Sequence, residues 1–175
     1  MRKLLNEELD RLSVGDFKVA KKIPVVVVLD NVRSQNNIGS VFRTADAFRL
    51  EGIYLCGITA KPPHREIHKT ALGATESVNW EYFEDTAFAI KGLKEEGYII
   101  LSVEQAEGAL SLENFHLSTK QKYALVLGHE VRGVDQKVVD LSDHCLEIPQ
   151  YGTKHSLNIS VAAGIVIWEV FRKFQ

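Results

Sequence analysis

The sequence predicts an α/β fold in which a mostly parallel β-sheet is flanked by helices. Short apolar runs rich in β-branched residues alternate along the chain with segments of helical periodicity. The run at residues 25–29 is apolar on both faces, which is typical of a central strand in a parallel sheet. With 175 residues, 45% of them hydrophobic and 25% charged, the chain is expected to form one domain, residues 1–175, with residues 1–22 as a short helical extension.

Two helices are expected around this first strand. Residues 6–12 have the amphipathic pattern of a short helix. After the strand, polar residues 30–37 form a loop, and a helix follows over residues 38–48 with Asn36 or Asn37 as its N-cap. The core-facing stripe of this helix comprises Val41, Phe42, Ala45 and Phe48.

Strands and helices alternate through the rest of the chain. Further strands are expected at residues 53–56, 78–83, 98–103, 123–127 and 145–148. Further helices are expected at residues 67–72, 86–95, 135–141 and 157–174, and one helical turn near residues 111–115. The last helix has almost no polar face, so we expect it either to be deeply buried within one subunit or to form a homodimer interface.

Composition limits the classes of function. The net charge of −2 disfavours a strongly basic nucleic-acid binder, although residues 1–70 carry 12 Lys and Arg against 8 Asp and Glu and offer a local phosphate-binding face. Cys56 and Cys145 are isolated and no histidine pair has metal-ligand spacing, so neither a disulfide framework nor a metal site is expected. Signal-peptide and membrane-helix patterns are absent, which favours a reduced, cytoplasmic location.

Two loops rich in glycine and polar residues follow the strands at 123–127 and 145–148. Their notable positions are Gly128, Glu130, Gly133, Gly152, Ser156 and Asn158. Because ligand sites in open α/β sheets form at the carboxyl ends of parallel strands, we expect one pocket built from both loops. Walker A and GxGxxG sequences are absent, which disfavours phosphate-loop and dinucleotide enzymes.

Four polar residues near these strand ends have both structural and functional interpretations. Asn37 either caps a helix or contacts a ligand, and Arg43 either pairs with Asp46 on the same helix or acts in a site. Glu130 is a solvated loop carboxylate, or it orients a ligand hydroxyl or pairs with an arginine such as Arg43. Asn158 lies where the helical phase turns apolar, so its amide is expected to have a specific partner.

Three ordered motifs resemble those of a known family. They are Asn37-x-Gly39-x-x-x-Arg43-x-Ala45, Leu127-Gly128-x-Glu130-x-x-Gly133, and Ile148-Pro149-x-x-Gly152-x-x-x-Ser156-Leu157-Asn158-Ile159-Ser160-Val161-Ala162. We call them the first, second and third motifs. They are similar to the motifs of the SpoU/TrmH branch of the SPOUT RNA methyltransferases, and the resemblance runs from about residue 25 to residue 168.

The resemblance implies an S-adenosylmethionine-dependent 2′-O-ribose methyltransferase that acts on tRNA or rRNA as a homodimer. It also implies a carboxyl-terminal trefoil knot around the methyl donor, with the catalytic arginine meeting the donor site across the dimer interface. The implied catalytic arginine is Arg43, and its supporting polar groups are Asn37, Glu130, Ser156 and Asn158. The implied cofactor-binding residues are Leu127, Gly128, Gly133, Ile148, Gly152 and Leu157.

The chemistry leaves two roles open for Arg43. A ribose 2′-oxygen attacks a methyl group, and the protein must orient the hydroxyl and remove its proton. Because the pKa of arginine is above about 12, Arg43 either accepts the proton with help from the substrate phosphate or stays charged and stabilises the developing alkoxide. His129 and Gln150 depart from the family pattern, which often has Asn and Met at these positions.

Some members carry a separate amino-terminal RNA-binding domain; we expect none here, so RNA capture is expected on the surface of the dimer. The candidate residues are Lys18, Lys21, Lys22, Lys61, Arg65 and Lys69, and the alternative for each is a solvated surface charge. Two rival functions are a catalytically silent RNA-binding homologue and a knotted methyltransferase that modifies a base rather than a ribose.

Overall fold

One sheet of seven strands organises the computed structural model, which describes all 175 residues. The strands are β1 (Ile23–Asp30), β2 (Leu50–Cys56), β3 (Trp80–Phe83), β4 (Tyr98–Val103), β5 (Leu110–Ser111), β6 (Lys122–Leu127) and β7 (His144–Glu147). Their order is β3-β2-β1-β6-β4-β7-β5, and every pairing is parallel. The predicted fold class, a mostly parallel sheet flanked by helices, is confirmed.

Helices cover both faces of this sheet. They are α1 (Val14–Val19), α2 (Gln35–Ala47), α3 (Arg65–Ala71), α4 (Ala74–Ser77), α5 (Thr86–Glu95), α6 (Gln136–Leu141) and α7 (Ile159–Lys173), with 3-10 turns at Asn6–Glu8 and Leu112–Asn114. Val25 and Val27 belong to the core that includes α2, α3 and α7, whereas Val26 and Val28 belong to the core that includes α5. Strand β1 is therefore apolar on both faces because each face is covered.

The predicted helix over residues 6–12 is wrong. The chain instead forms the short 3-10 turn Asn6–Glu8, and the αL backbone of Asp10 (φ 44°) separates it from α1. Helix α1 begins after Ser13, whose hydroxyl accepts a hydrogen bond from the amide of Asp16, and it buries Phe17. Burial of an aromatic side chain thus decides where the amino-terminal helix forms.

The predicted N-cap of α2 is also wrong. Ser34 caps the helix by accepting from the amide of Asn37, so the helix begins three residues earlier than expected and includes Asn36 and Asn37. The short α4 and β5 were not predicted. Helix α4 follows a left-handed turn at Leu72 and Gly73, and β5 has only two residues, so neither has a recognisable period.

Helix α7 packs on the core along one face only. Ala163, Val166, Ile167 and Val170 are buried, whereas Val161, Ile165 and Trp168 are 50%, 38% and 52% exposed. The alternative of deep burial within one subunit is therefore wrong, and the helix presents an apolar outer face. Homodimerisation stays a prediction.

The sheet order brings three loops together. Because β6, β4 and β7 are neighbours and parallel, their carboxyl ends lie at one edge of the sheet. The loops that follow them begin at Gly128, Glu104 and Ile148. The trefoil knot stays a prediction. None of the helices combines the length and the apolarity that crossing a membrane requires.

Candidate active site

A cleft of about 580 Å³ opens where β4, β6 and β7 end. Both loops that were predicted to share a pocket line it, and the loop after β4 adds Glu104 and Gln105. Its apolar wall comprises Val103, Leu127, Leu146, Ile148, Leu157, Ile159 and Ala162. The cleft therefore combines an apolar wall with polar groups from three loops, which is the usual composition of a small-molecule site.

The loop of the second motif forms a tight turn over this cleft. His129 and Gly133 exchange backbone hydrogen bonds of 2.9 and 2.8 Å, and the ring Nδ1 of His129 accepts from the amide of Val131 at 3.0 Å. A Cβ on Gly128 would collide with the backbone of Gly133 and Val134. Gly133 has a φ of 70°. Glycine is thus required at Gly128 by close packing and is favoured at Gly133 by conformation.

Glu130 holds the amino terminus of α2. Its carboxylate accepts hydrogen bonds from the amides of Arg33 at 3.0 Å and Ser34 at 2.9 Å, and from Nδ2 of Asn37 at 3.1 Å. Partial burial alone would raise the pKa of Glu130, but these hydrogen bonds outweigh it and lower the pKa below its ordinary value. Of the alternatives open for Glu130, pairing with Arg43 does not occur within the chain, because the carboxylate binds the start of the helix.

Asn37 connects Glu130 with Asn158. Its Oδ1 accepts from Nδ2 of Asn158 at 3.2 Å, while Asn158 Oδ1 accepts from the amide of Ser160 and caps α7. A carboxylate can only accept, so Glu130 determines which way the Asn37 amide points, and the Ser160 amide does the same for Asn158. The expected specific partner of Asn158 is Asn37. Asn158 is nevertheless exposed, so burial is not the reason for this pairing.

The side chain of Arg43 makes no hydrogen bond or ion pair within the chain. It is exposed on α2, and the predicted ion pair with Asp46 is absent because that carboxylate accepts from Ser77 Oγ instead. Arg43 does not line the cleft of its own chain, whereas Ser156 lies in its exposed rim and makes no hydrogen bond. The structure thus joins Asn37, Glu130 and Asn158 but leaves the guanidinium and the hydroxyl free.

Five of the six residues implied in cofactor binding line the cleft. They are Leu127, Gly128, Gly133, Ile148 and Leu157. Gly152 lies outside the lining, and a Cβ there would meet open space. Close packing therefore does not explain a glycine at this position.

Glu104 and Gln105 line the cleft but were not among the candidate residues predicted from the sequence. Glu104 Oε2 accepts from the amide of Val134 at 3.0 Å, and Gln105 Nε2 donates to the carbonyl oxygen of His155 at 2.6 Å. A recognisable signal was present, since Glu104, like Asp30 at the end of β1, is a carboxylate at the end of a buried strand. Asp30 Oδ2 likewise accepts a backbone amide, that of Asp135, at 2.9 Å.

The six candidate RNA-binding residues do not form one surface. Lys18, Lys21 and Lys22 precede β1 and lie at the amino-terminal edge of the sheet, opposite the cleft. The ammonium of Lys22 stacks 4.0 Å from the ring of Phe17, and burial lowers its pKa. Lys22 is therefore engaged in an internal contact.

Lys61, Arg65 and Lys69 follow the carboxyl end of β2. Lys61 stacks on the ring of Tyr82, and Lys69 pairs with Glu66 at 2.7 Å. Arg65 lines a second cleft of about 500 Å³, together with Pro62, Pro63, His64, Ile67, His68, Thr75, Glu76 and Trp80. Of the six basic residues, these three lie nearer the edge of the sheet that carries the first cleft.

Residues 24–168 match the model of the SpoU rRNA Methylase family. The chain belongs to this family. The three motifs of the SpoU family all lie within the matched residues, and they supply the side chains that meet at the cleft.

Relatives of known sequence and structure agree with the SpoU assignment. A Staphylococcus aureus (strain MSSA476) protein assigned to the TrmH family as a tRNA/rRNA methyltransferase is 33% identical over 156 residues, which are 89% of this chain and 62% of that protein. The chain thus spans less than two thirds of that relative. The AdoMet-bound rRNA methyltransferase from Sinorhizobium meliloti is 27% identical with a TM-score of 0.82, over 89% of this chain and 58% of that one.

A third comparison supports the fold alone. The TrmH/SpoU tRNA modifying enzyme from A. aeolicus has a TM-score of 0.81 at 24% identity, over 91% of this chain and 80% of that one.

Proposed function

We propose that this chain is an S-adenosylmethionine-dependent RNA 2′-O-ribose methyltransferase acting on tRNA or rRNA. The observation that carries the proposal is the hydrogen-bonded series Glu130–Asn37–Asn158, which joins all three motifs beside the cleft. Membership of the SpoU family and likeness to an AdoMet-bound rRNA methyltransferase support the same function.

The cleft fits the methyl donor in size and chemistry. Its volume of about 580 Å³ lies within the range of ordinary ligand sites. Leu127, Ile148 and Leu157 would contact the adenine, and the turn between Gly128 and Gly133, which lines the cleft, would offer its backbone groups to the donor. When bound, S-adenosylmethionine supplies a methyl group attached to a positively charged sulfonium.

Side chains of all three motifs hold two helices in position. Glu130 and Asn158 fix the first turns of α2 and α7 through Asn37, and Phe48 packs on Phe171 with ring centroids 4.8 Å apart near the other ends of these helices. The two helices therefore run side by side in the same direction. Arg43 lies six residues beyond Asn37, about 9 Å along α2, on a helix held at both ends.

Arg43 would act on the ribose 2′-hydroxyl. An exposed, unpaired guanidinium can orient this oxygen and stabilise the negative charge that develops as its proton leaves, or it can pass the proton on with help from a substrate phosphate. Ser156 and the amides of Asn37 and Asn158 provide further hydrogen-bonding groups nearby. No charge within the chain competes for Arg43, because none of the five ion pairs includes it.

We propose that the active form is a homodimer with its active sites at the interface. The outer face of α7 exposes Val161, Ile165 and Trp168 at helical spacing, and they are 38–52% exposed. An apolar stripe of this kind is covered in most soluble proteins. A second copy packed on this face would also allow Arg43, which does not line the cleft of its own chain, to meet the cleft of its partner.

Transfer of labelled methyl groups tests the proposal directly. The chain is incubated with methyl-labelled S-adenosylmethionine and total tRNA and rRNA, and the modified nucleotide is mapped by its resistance to alkaline cleavage. We expect incorporation at a ribose 2′-oxygen. Label on a base would indicate a base methyltransferase, and RNA binding without incorporation would indicate a catalytically silent homologue.

A further inference from the structure

The loop between β7 and α7, residues 148–158, carries the third motif and is loosely attached to the rest of the chain. We call it the third-motif loop. Every residue from 151 to 158 is exposed, and Tyr151 is 94% exposed. A segment with so few buried contacts has little stabilisation of its own. Its position against the cleft must therefore depend on a small number of specific contacts.

One hydrogen bond joins residues 148–157 to the remainder of the chain. The side-chain amide of Gln105 donates to the carbonyl oxygen of His155 at 2.6 Å. Beyond this point, Asn158 anchors the end of the loop through Asn37 and the first turn of α7. The stretch between the end of β7 and Asn158 is thus fastened at His155, beside Ser156.

Hydrogen bonds at the end of β4 hold the backbone of Gln105 in place. The amide of Glu104 donates to the carbonyl oxygen of Leu146 at 3.0 Å, which extends the pairing of β4 and β7. The amide of Gln105 donates to Glu104 Oε1 at 2.9 Å, and Glu104 Oε2 accepts from Val134. Two adjacent residues after β4 therefore hold the loops of the second and third motifs, one each.

We propose that Gln105 is a positioning residue that holds the third-motif loop against the methyl-donor cleft. Its amide replaces a water partner for the His155 carbonyl and limits the conformations of the loop before any ligand is present. Ligand binding then loses less conformational entropy, because the loop is already placed. The loop-holding role rests on contacts within the chain, while the consequence for the methyl donor rests on the proposed function.

Limited proteolysis of the unliganded chain tests the loop-holding role. Lys154 and Tyr151 place a trypsin and a chymotrypsin site within the loop, and cleavage at each bond is followed by mass spectrometry. Gln105→Glu keeps the shape of the side chain but replaces the amide donor with an acceptor. We expect Gln105→Glu and Gln105→Ala each to accelerate cleavage in the loop about fivefold, the equivalent of one hydrogen bond.

Gln121→Ala is the matched control, because Gln121 is exposed and its side chain makes no hydrogen bond. Its cleavage rates should equal those of the wild type. Unchanged cleavage in Gln105→Glu would overturn the role of the donor, and unchanged cleavage in Gln105→Ala would overturn the role of the residue. Equal melting temperatures in all four proteins establish that global unfolding does not produce the difference.

Calorimetric titration with S-adenosylmethionine tests whether a loop held by Gln105 favours binding of the methyl donor. We expect the Gln105 variants to bind about fivefold more weakly, while kcat at saturating methyl donor stays within about twofold of the wild type. A fall in kcat with unchanged affinity would contradict a positioning role. If wild-type protein methylates no RNA, the proposed function fails, whereas the proteolysis result stands by itself.

Discussion

The side-chain amide of Asn158 donates to the side-chain oxygen of Asn37 across 3.2 Å, although 121 residues separate them. Each asparagine lies in or at the first turn of a helix, and Glu130 accepts from the same Asn37. The pairing has a direction, because Glu130 only accepts and Ser160 N donates to Asn158. Removing one donor should therefore disturb the whole series.

Replacing Asn37 with Asp tests this series. The new carboxylate would face Glu130 and would offer no donor, so we expect a loss of about 1–3 kcal/mol in the free energy of unfolding and a strong decrease in methyl transfer. Asn36→Asp is the matched control, since Asn36 is exposed on the same turn. Urea unfolding measures both variants. Equal stability of the two would refute the importance of the Glu130–Asn37 contact.

The lowered pKa of Glu130 predicts a pH-dependent contribution to stability. Its pKa is below the ordinary value of 4.5 in the folded chain, so the unfolded chain binds the proton more tightly. The contribution is present above about pH 4.5 and is lost as the pH falls through the folded pKa. When the pH is lowered from about 6 to about 3, the free energy of unfolding of Glu130→Gln should fall less than that of the wild type. The exposed Glu107→Gln should behave as the wild type.

Arg43→Ala should separate catalysis from folding. Arg43 is exposed and unpaired, so the free energy of unfolding should change by less than about 0.5 kcal/mol. Methyl transfer should fall by about a hundredfold or more, with affinity for S-adenosylmethionine retained. Arg11→Ala, at another exposed arginine, provides the control. Turnover like that of the wild type would exclude both roles considered for Arg43.

Two glycine-to-alanine changes should have opposite effects. A Cβ at Gly128 would collide with the backbone of Gly133 and Val134, so Gly128→Ala should cost about 1–3 kcal/mol and weaken binding of the methyl donor. Gly92 lies within α5 with open space around it, so Gly92→Ala should stabilise the fold by about 0.5–1 kcal/mol. Thermal unfolding and calorimetry test the pair. Destabilisation of similar size in both variants would contradict the close-packing argument.

Val161→Asp tests the proposed dimer. Val161 is 50% exposed on the outer face of α7, so a charge there should leave the subunit folded but disfavour a second copy. Light scattering should show a dimer for the wild type and a monomer for the variant, with methyl transfer lost. Val19→Asp, at another exposed valine, should remain dimeric. A monomeric wild type with full activity would refute the proposal.

Local sequence patterns predicted most elements of the sheet and its helices. Strand β4 and helix α5 have the predicted bounds, and β1 is central as its continuous apolar run indicated. The predictions of these elements were correct because the period of apolar residues along the chain follows the buried face of each helix or strand. The N-cap of α2 was less predictable, since Ser34, Asn36 and Asn37 are all suitable residue types. The path of the chain from β1 into the helix decides that Ser34 is the cap.

The sequence by itself determined the α/β class and, through the three motifs, the family whose model matches residues 24–168. It also placed Asn37, Glu130 and Asn158 among the candidates. Only the tertiary structure decided that Glu130 holds Asn37 rather than Arg43, and that Gln105 fastens the third-motif loop. These contacts join residues 93 and 50 positions apart, and they depend on the order of strands in the sheet. Local periodicity carries no information about that order, because each strand reads the same whichever neighbour it pairs with.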